Sequence, residues 1–221
     1  MVHAPVHHHK PILREEIANA VSHGIGAALA IAALVVLVVA AARRGEAWHI
    51  VSMSIYGASL VLLYLGSTLY HALSFTRARA FFQMLDHMLI FVLIAGTYTP
   101  FLLISLRGLW GWSLFGVVWG LAIAGIVLKA FATGRYKFLS TALYLAMGWL
   151  VLIAINPFRA ALPPLAFLWL IIGGAFYTLG VVFFALGHRV PFFHFLWHLC
   201  VLGGSASHFV AVWLATLAPS V

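Results

Sequence analysis

Apolar residues run along this chain in seven blocks, at 18–42, 48–73, 82–106, 110–131, 138–155, 164–186 and 192–217. A membrane-spanning helix needs roughly 20 mostly apolar residues. Backbone that faces lipid must satisfy its own hydrogen bonds, so each block is read as a helix. The breaks between blocks are short and carry charge or turn residues: Arg43-Arg44-Gly45-Glu46, Arg77 with Arg79, Arg107-Gly108, Gly134-Arg135, Asn156-Pro157 through Pro163-Pro164, and Gly187 to Pro191. None is long enough to link separate domains. The expected fold is all-α: one integral membrane domain of seven transmembrane helices over 18–221, after a short polar cytoplasmic tail at 1–17.

The polar residues that interrupt the apolar blocks are few, and they share a level. Seven spans put the two termini on opposite sides. On that topology Glu16, Asn19 and His23 lie at the inner end of the first span, and Ser67 and His71 at the inner end of the second. Asp86 lies one turn above the start of the third, as the one acidic residue expected inside a span, and His194 and His198 fall in the first two turns of the seventh. Residues four apart on a helix point the same way, so S-x-x-x-H and H-x-x-x-H each aim two side chains at one place. At 100° per residue, Glu16, Asn19 and His23 fall within about 60° of one another. His208 returns to within about 40° of the His194 face, and Thr97 to within about 20° of the Asp86 face.

Composition agrees with the pattern: 65% of the 221 residues are hydrophobic, 7% are charged, and mean hydropathy is +1.11. No soluble domain of this size hides so much apolar surface. The net charge of +8 sits in short loops, which is how membrane topology is encoded and not how nucleic acid is bound. Lys10, Arg14, Arg77, Arg79, Lys129, Arg135, Lys137 and Arg189 fall on the N-terminal side, against Arg43, Arg44, Arg107 and Arg159 on the other. This two-to-one bias places the N-terminus inside and the C-terminus outside. The single cysteine, Cys200, excludes an intrachain disulfide and a cysteine zinc site, and reads as a small buried apolar residue. The opening residues do not read as a secretory leader, and His3 with His7 to His9 reads as a solvated tail. The G-x-x-x-G at Gly116 and Gly120, and Gly173, Gly174, Gly203 and Gly204, suit helix contact within the bundle, with a homodimer interface as the lesser reading. Trp48, Trp110 and Trp112 suit an interfacial belt.

Costly ionisable groups inside a span mark function by default. His71, His194 and His198 form a candidate metal site. Three protein ligands and water are the usual catalytic zinc arrangement, and oxygen-seeking magnesium and calcium suit imidazoles poorly. Asp86 could hold the water, and Ser67 could brace the site or donate to an oxyanion. The H-x-x-x-H lacks the glutamate of H-E-x-x-H, which excludes that class of peptidase. Other readings stand beside these. His23 hydrogen-bonds Asn19 or backbone, His208 is a satisfied bundle histidine, and Asp86 pairs with His87 or Arg79. His49 and His188 face water. Tyr64, Tyr70 and Tyr98 pack between helices with one hydrogen bond each.

The ordered set E-x-x-N-x-x-x-H, S-x-x-x-H, the aspartate, and H-x-x-x-H with a histidine ten residues on resembles the progestin and adipoQ receptor family. YHAL after Leu69 and DHMLIFVLIAGTYTPF from Asp86 are similar to its bacterial haemolysin III branch. The resemblance covers nearly the whole chain. It implies seven helices with the N-terminus inside, in a bacterial plasma membrane. It also implies Zn2+ on His71, His194 and His198, with Asp86 on the zinc-bound water and Ser67 beside it, and kinship with alkaline ceramidases. The extended N-terminal domain of the animal receptors is absent, so hormone recognition does not transfer.

The expected function is therefore a zinc-dependent membrane hydrolase of a lipid amide or ester, with membrane lipids as its partners. A non-enzymatic sensor of membrane state held by structural zinc is the alternative. A pore-forming cytolysin is a further one, disfavoured because no stripe of charge suits a conduit. A proton-coupled transporter lacks a second intramembrane carboxylate and evident inverted repeats.

Overall fold

A computed structural model describes residues 13–132, 137–187 and 189–218. Among them every regular element is a helix: α1 (Leu13–Arg44), α2 (Ala47–Ala72), α3 (Arg79–Pro100), α4 (Leu109–Ala132), α5 (Lys137–Gly148), α6 (Ile155–Ala161), α7 (Pro164–Leu186) and α8 (Phe193–Thr216). Six of them are long and apolar enough to cross a membrane, with α3 extended by a π-helical turn over Phe101–Ser105. The expected unbroken span at 138–155 is instead a bent pair. A 3₁₀ turn over Leu150–Leu152 separates α5 from α6, and the two arms meet at 57°. Counted as one span, this pair makes seven. The His-rich tail and His188 lie outside the described residues.

The break between α5 and α6 is stabilised from another helix. The Tyr98 hydroxyl donates to the Gly148 carbonyl at 2.9 Å and accepts from the Val151 N–H at 3.0 Å. Backbone groups freed inside a membrane need such partners. Pro157, in the first turn of α6, removes only a donor that would have no intrahelical acceptor there.

α1 begins at Leu13 and not at residue 18, so the expected polar tail gives up its last turn to the helix. Its outer face carries Ile17, Val21, Ile25 and Leu29, all more than half exposed, while Glu16, Asn19 and His23 are buried. That inversion fits a helix with lipid outside and a polar seam inside. α1 packs on α2, α2 on α3, α3 on α4 and α7 on α8, and α8 returns to α1. At the crossing of α1, α2 and α8, a side-chain carbon on Gly26 would lie 2.6 Å from the Tyr64 ring and 2.9 Å from Leu202. The Arg44 guanidinium donates to the carbonyls of Leu217 and Ala218, each at 2.7 Å, and ties the last turn of α1 to the end of α8. α1 and α8 thus run parallel, and their first turns share the opposite end of the bundle.

Two expectations on the periphery are corrected. Gly116 and Gly120 do not mediate contact within the bundle, because both face outward with open space around them. His49 does not face water: it is 6% exposed, and its Nδ1 lies 3.1 Å from the Glu46 carboxylate. Trp48, Trp110 and Trp112 are well exposed, as a belt requires, and Trp48 meets Trp112 edge to face at 5.5 Å.

Candidate metal centre

The last turn of α2, the first turns of α8 and the first turns of α1 converge at one end of the bundle. α2 brings Ser67 and His71, α8 brings His194 and His198, and α1 brings Glu16, Ser22 and His23. Candidate ligand nitrogens of His71, His194 and His198 all lie within 4.8 Å of one another. His71 and His198 are buried and His194 is half-buried. The three expected ligands are therefore brought together, close enough to hold one metal ion.

Hydrogen bonding fixes which nitrogens are free for it. The Glu16 carboxylate lies 2.6 Å from His71 Nδ1. A carboxylate accepts, so Nδ1 carries the proton and Nε2 presents its lone pair. Nε2 is buried and has no hydrogen-bond partner. Ser22 Oγ donates to the Asn19 carbonyl at 3.0 Å and lies 3.4 Å from His198 Nδ1. That places the His198 proton on Nδ1 too and leaves its Nε2 as an acceptor. Buried orphaned lone pairs on clustered imidazoles are costly unless something binds them. Metal-bound histidines commonly donate their other N–H to a carboxylate or another acceptor in this way. Neutral imidazoles suit a transition metal, and the donor set alone does not choose which.

The role of Glu16 in bracing His71 was not foreseen. The late expected start of the first span left Asp86 as the lone carboxylate within a helix, but Glu16 is one as well. Its place on the stripe with Asn19 and His23 was the available signal. The partner could not be read, because His71 lies on another helix.

Asp86, half-buried, and Ser67, buried, line the same cavity as His194 and His198. The cavity lies among α2, α3, α5, α7 and α8, reaches His23 on α1, and is partly open to its surroundings. Leu63, Ile90, Leu93, Val181 and Val201 are among its apolar walls. Asp86 makes no ion pair with Arg79, whose guanidinium instead lies 6.0 Å from the centre of the Tyr70 ring. His208 is satisfied at one nitrogen only: Nε2 lies 3.1 Å from the Leu170 carbonyl, while Nδ1 is buried without a partner. Tyr64 donates to the Val201 carbonyl at 3.4 Å and Tyr70 accepts from Gln83 at 3.3 Å, while Tyr98 makes the two bonds already described.

His23 departs from expectation. It does not bond Asn19, whose Oδ1 has no partner, and both of its own ring nitrogens are buried without one. Its ring instead stacks on His198, with centroids 3.6 Å apart and planes 16° from parallel, and meets Tyr64 edge-on at 5.0 Å. The stack carries the ring across the α1–α8 interface and away from its own helix.

Membrane-crossing helices around a buried, carboxylate-braced histidine cluster define a multi-pass membrane protein with a candidate transition-metal centre. The chain belongs to the haemolysin-III related family, whose model matches residues 12–209. It is 49% identical over 200 residues to the hemolysin-3 homolog of Bacillus subtilis, covering 90% of this chain and 93% of that one. It is 48% identical over 200 residues to hemolysin-3 of Bacillus cereus, covering 90% and 91%. The human monocyte to macrophage differentiation factor is 31% identical over 213 residues, covering 93% and 86%, and the resemblance to the progestin and adipoQ receptor family stands with it.

Proposed function

We propose that the protein is a zinc-dependent hydrolase of a lipid amide or ester, ceramidase-like in chemistry, with a role in membrane homeostasis. One observation carries the reading: His194 and His198 of the histidine cluster, with Asp86 and Ser67, line a single largely apolar cavity within the helix bundle. His71, His194 and His198 would hold the zinc, which supplies a Lewis acid and a water acidified toward a pKa of about 7. Asp86 takes the proton of the attacking water and returns it to the departing amine or alkoxide. Ser67 donates a hydrogen bond as negative charge gathers on the carbonyl oxygen. Glu16 holds His71 in its Nδ1–H form, and the apolar walls seat the acyl chain. The basic-residue bias supports a plasma-membrane orientation with the N-terminus cytoplasmic, which puts this site near the inner leaflet.

The test uses pure protein with full zinc occupancy on a lipid panel that includes ceramides. Turnover is expected, abolished by Asp86→Asn with zinc retained, and abolished together with zinc by His194→Ala, His198→Ala. An absence of turnover across the panel ends the proposal.

A second reading draws on the same centre. Ligands and braces come from α1, α2 and α8, which meet at one end, so a cation there would staple the bundle. In a sensor of membrane state, His71→Ala lowers the melting temperature and alters membrane fluidity while every lipid pool stays constant. Lipidomics of a deletion strain separates the two readings. The names of the Bacillus relatives raise cell lysis as a third, which liposome leakage with pure protein tests.

A further inference from the structure

The cavity does not end at the histidine cluster. It follows α8 from His194 to His208, α3 and its π-helical extension from Asp86 to Phe101, and α7 from Phe184 to Leu170. Fourteen residues of helix make it about 21 Å long. Its far end is polar in a specific way. Tyr98 bonds Gly148 and Val151, Thr97 bonds the Leu93 carbonyl, Tyr177 bonds Ser205 at 2.8 Å, and Trp149 donates to Thr178 at 3.0 Å. His208 is the exception. Its Nε2 faces a carbonyl, which only accepts, so Nε2 carries the proton. A second proton would place a charge in an apolar span, which is costly. Nδ1 is therefore a lone-pair acceptor, and it is buried without a partner.

The ring has room because α7 carries glycine opposite it. A side-chain carbon on Gly173 would fall 2.1 Å from His208 Cδ2 and 2.4 Å from Nε2. The position is therefore shaped around an imidazole that spends one nitrogen on α7 and keeps the other unused.

We infer that the distal end of the cavity is a second binding subsite, in which His208 Nδ1 accepts a hydrogen bond from a hydroxyl on the aliphatic chain of the bound lipid. The inference rests on the reading that such a chain occupies the cavity. His208 lies ten residues beyond His198, about 15 Å along α8. An extended residue spans about 3.6 Å in three bonds, so 15 Å corresponds to about twelve bonds of extended chain. The preferred ligand carries its polar head at the histidine cluster and a hydroxyl about that far along the chain. In a cavity with no acceptor the hydroxyl would weaken binding, because a buried hydroxyl without a partner is unfavourable. The sign of the preference therefore discriminates.

The experiment competes 12-hydroxydodecanoic acid and dodecanoic acid against radiolabelled dodecanoic acid on the detergent-solubilised full chain, with and without zinc. The wild type is expected to bind the hydroxy acid at least about three-fold more tightly, in line with one added neutral hydrogen bond. His208→Leu reverses the order. His208→Gln, whose amide can donate to Leu170 and still offer an oxygen, keeps it. Equal or inverted affinity in the wild type overturns the inference, and so does a preference that survives His208→Leu. That comparison stands on the wild type alone should a variant fail to fold. If neither acid binds, the lipid-filled cavity falls with it. Turnover plays no part in the readout, so loss of the hydrolase reading is registered separately.

Discussion

Removing the Glu16 carboxylate isolates one contact at the centre. In Glu16→Ala, His71 Nδ1 loses an acceptor at 2.6 Å, and the ring is 3% exposed, so bulk water does not replace it. The imidazole is then free to move its proton to Nε2 or to rotate, and either change removes the lone pair a metal needs. Outer partners of ligating histidines are typically worth 10–100-fold in metal affinity, or about 1.4–2.7 kcal/mol. We expect roughly 30-fold for alanine. We expect about five-fold for Glu16→Gln, whose amide oxygen still accepts from Nδ1–H without the charge. Glu46→Ala is the control: its carboxylate is 62% exposed and contacts His49, outside the cluster, so metal affinity should not change. Competition with a chromogenic chelator on solubilised protein measures the affinity, and thermal melting in parallel confirms the fold. If Glu16→Ala binds metal within about two-fold of wild type while still melting cooperatively, the carboxylate does not set the tautomer and the account of the centre is wrong.

The packing carries three further predictions. Tyr98→Phe removes both hydrogen bonds that bridge the break after α5, and should destabilise by about 1–3 kcal/mol, read as a lower melting temperature and faster proteolysis around Trp149. Gly26→Leu forces side-chain carbon into the Tyr64 ring where α1, α2 and α8 meet. A cost of about 1–3 kcal/mol and loss of bound metal should appear together in melting and metal analysis. Gly120→Leu enters open space, so melting should shift by less than about 0.5 kcal/mol equivalent, and a large loss would mean that something packs on α4.

What could be read from the chain was height. Apolar blocks mark where helices begin and end to within several residues, so groups near the ends of several blocks can be assigned a common depth without any structure. This is why His71, His194 and His198 were expected to meet and do. Asp86 and Ser67 line the same cavity as His194 and His198. What could not be read was azimuth between helices. The pairs that organise the site, Glu16 with His71 and Ser22 with His198, join residues 55 and 176 positions apart. Their meeting depends on crossing angles and close approaches such as that at Gly26, which no local pattern records.

The misreadings have the same origin. His23 and Asn19 are four apart on one face, and local geometry allows them to bond. A ring from α8 lies closer in the folded protein, so His23 stacks there instead. G-x-x-x-G at Gly116 and Gly120 describes a flat helix surface and is silent on what faces it, which among the described residues is nothing. The unbroken fifth span failed because the hydroxyl that satisfies its interrupted backbone arrives from Tyr98, 53 residues before Val151. Hydropathy counts a residue's cost in lipid, and it does not count a partner delivered by a neighbouring helix. In a membrane bundle the partners therefore decide which polar groups remain unspent. Among the buried imidazoles left without one, His23, His71 and His208 stand at the cluster or along its cavity, whereas the unpartnered hydroxyls of Ser52, Tyr56 and Ser74 lie outside that cavity's lining. Inside lipid, an unused lone pair on a buried imidazole is better evidence for a ligand than any spacing of histidines along the chain, because the spacing is free and the vacancy is not.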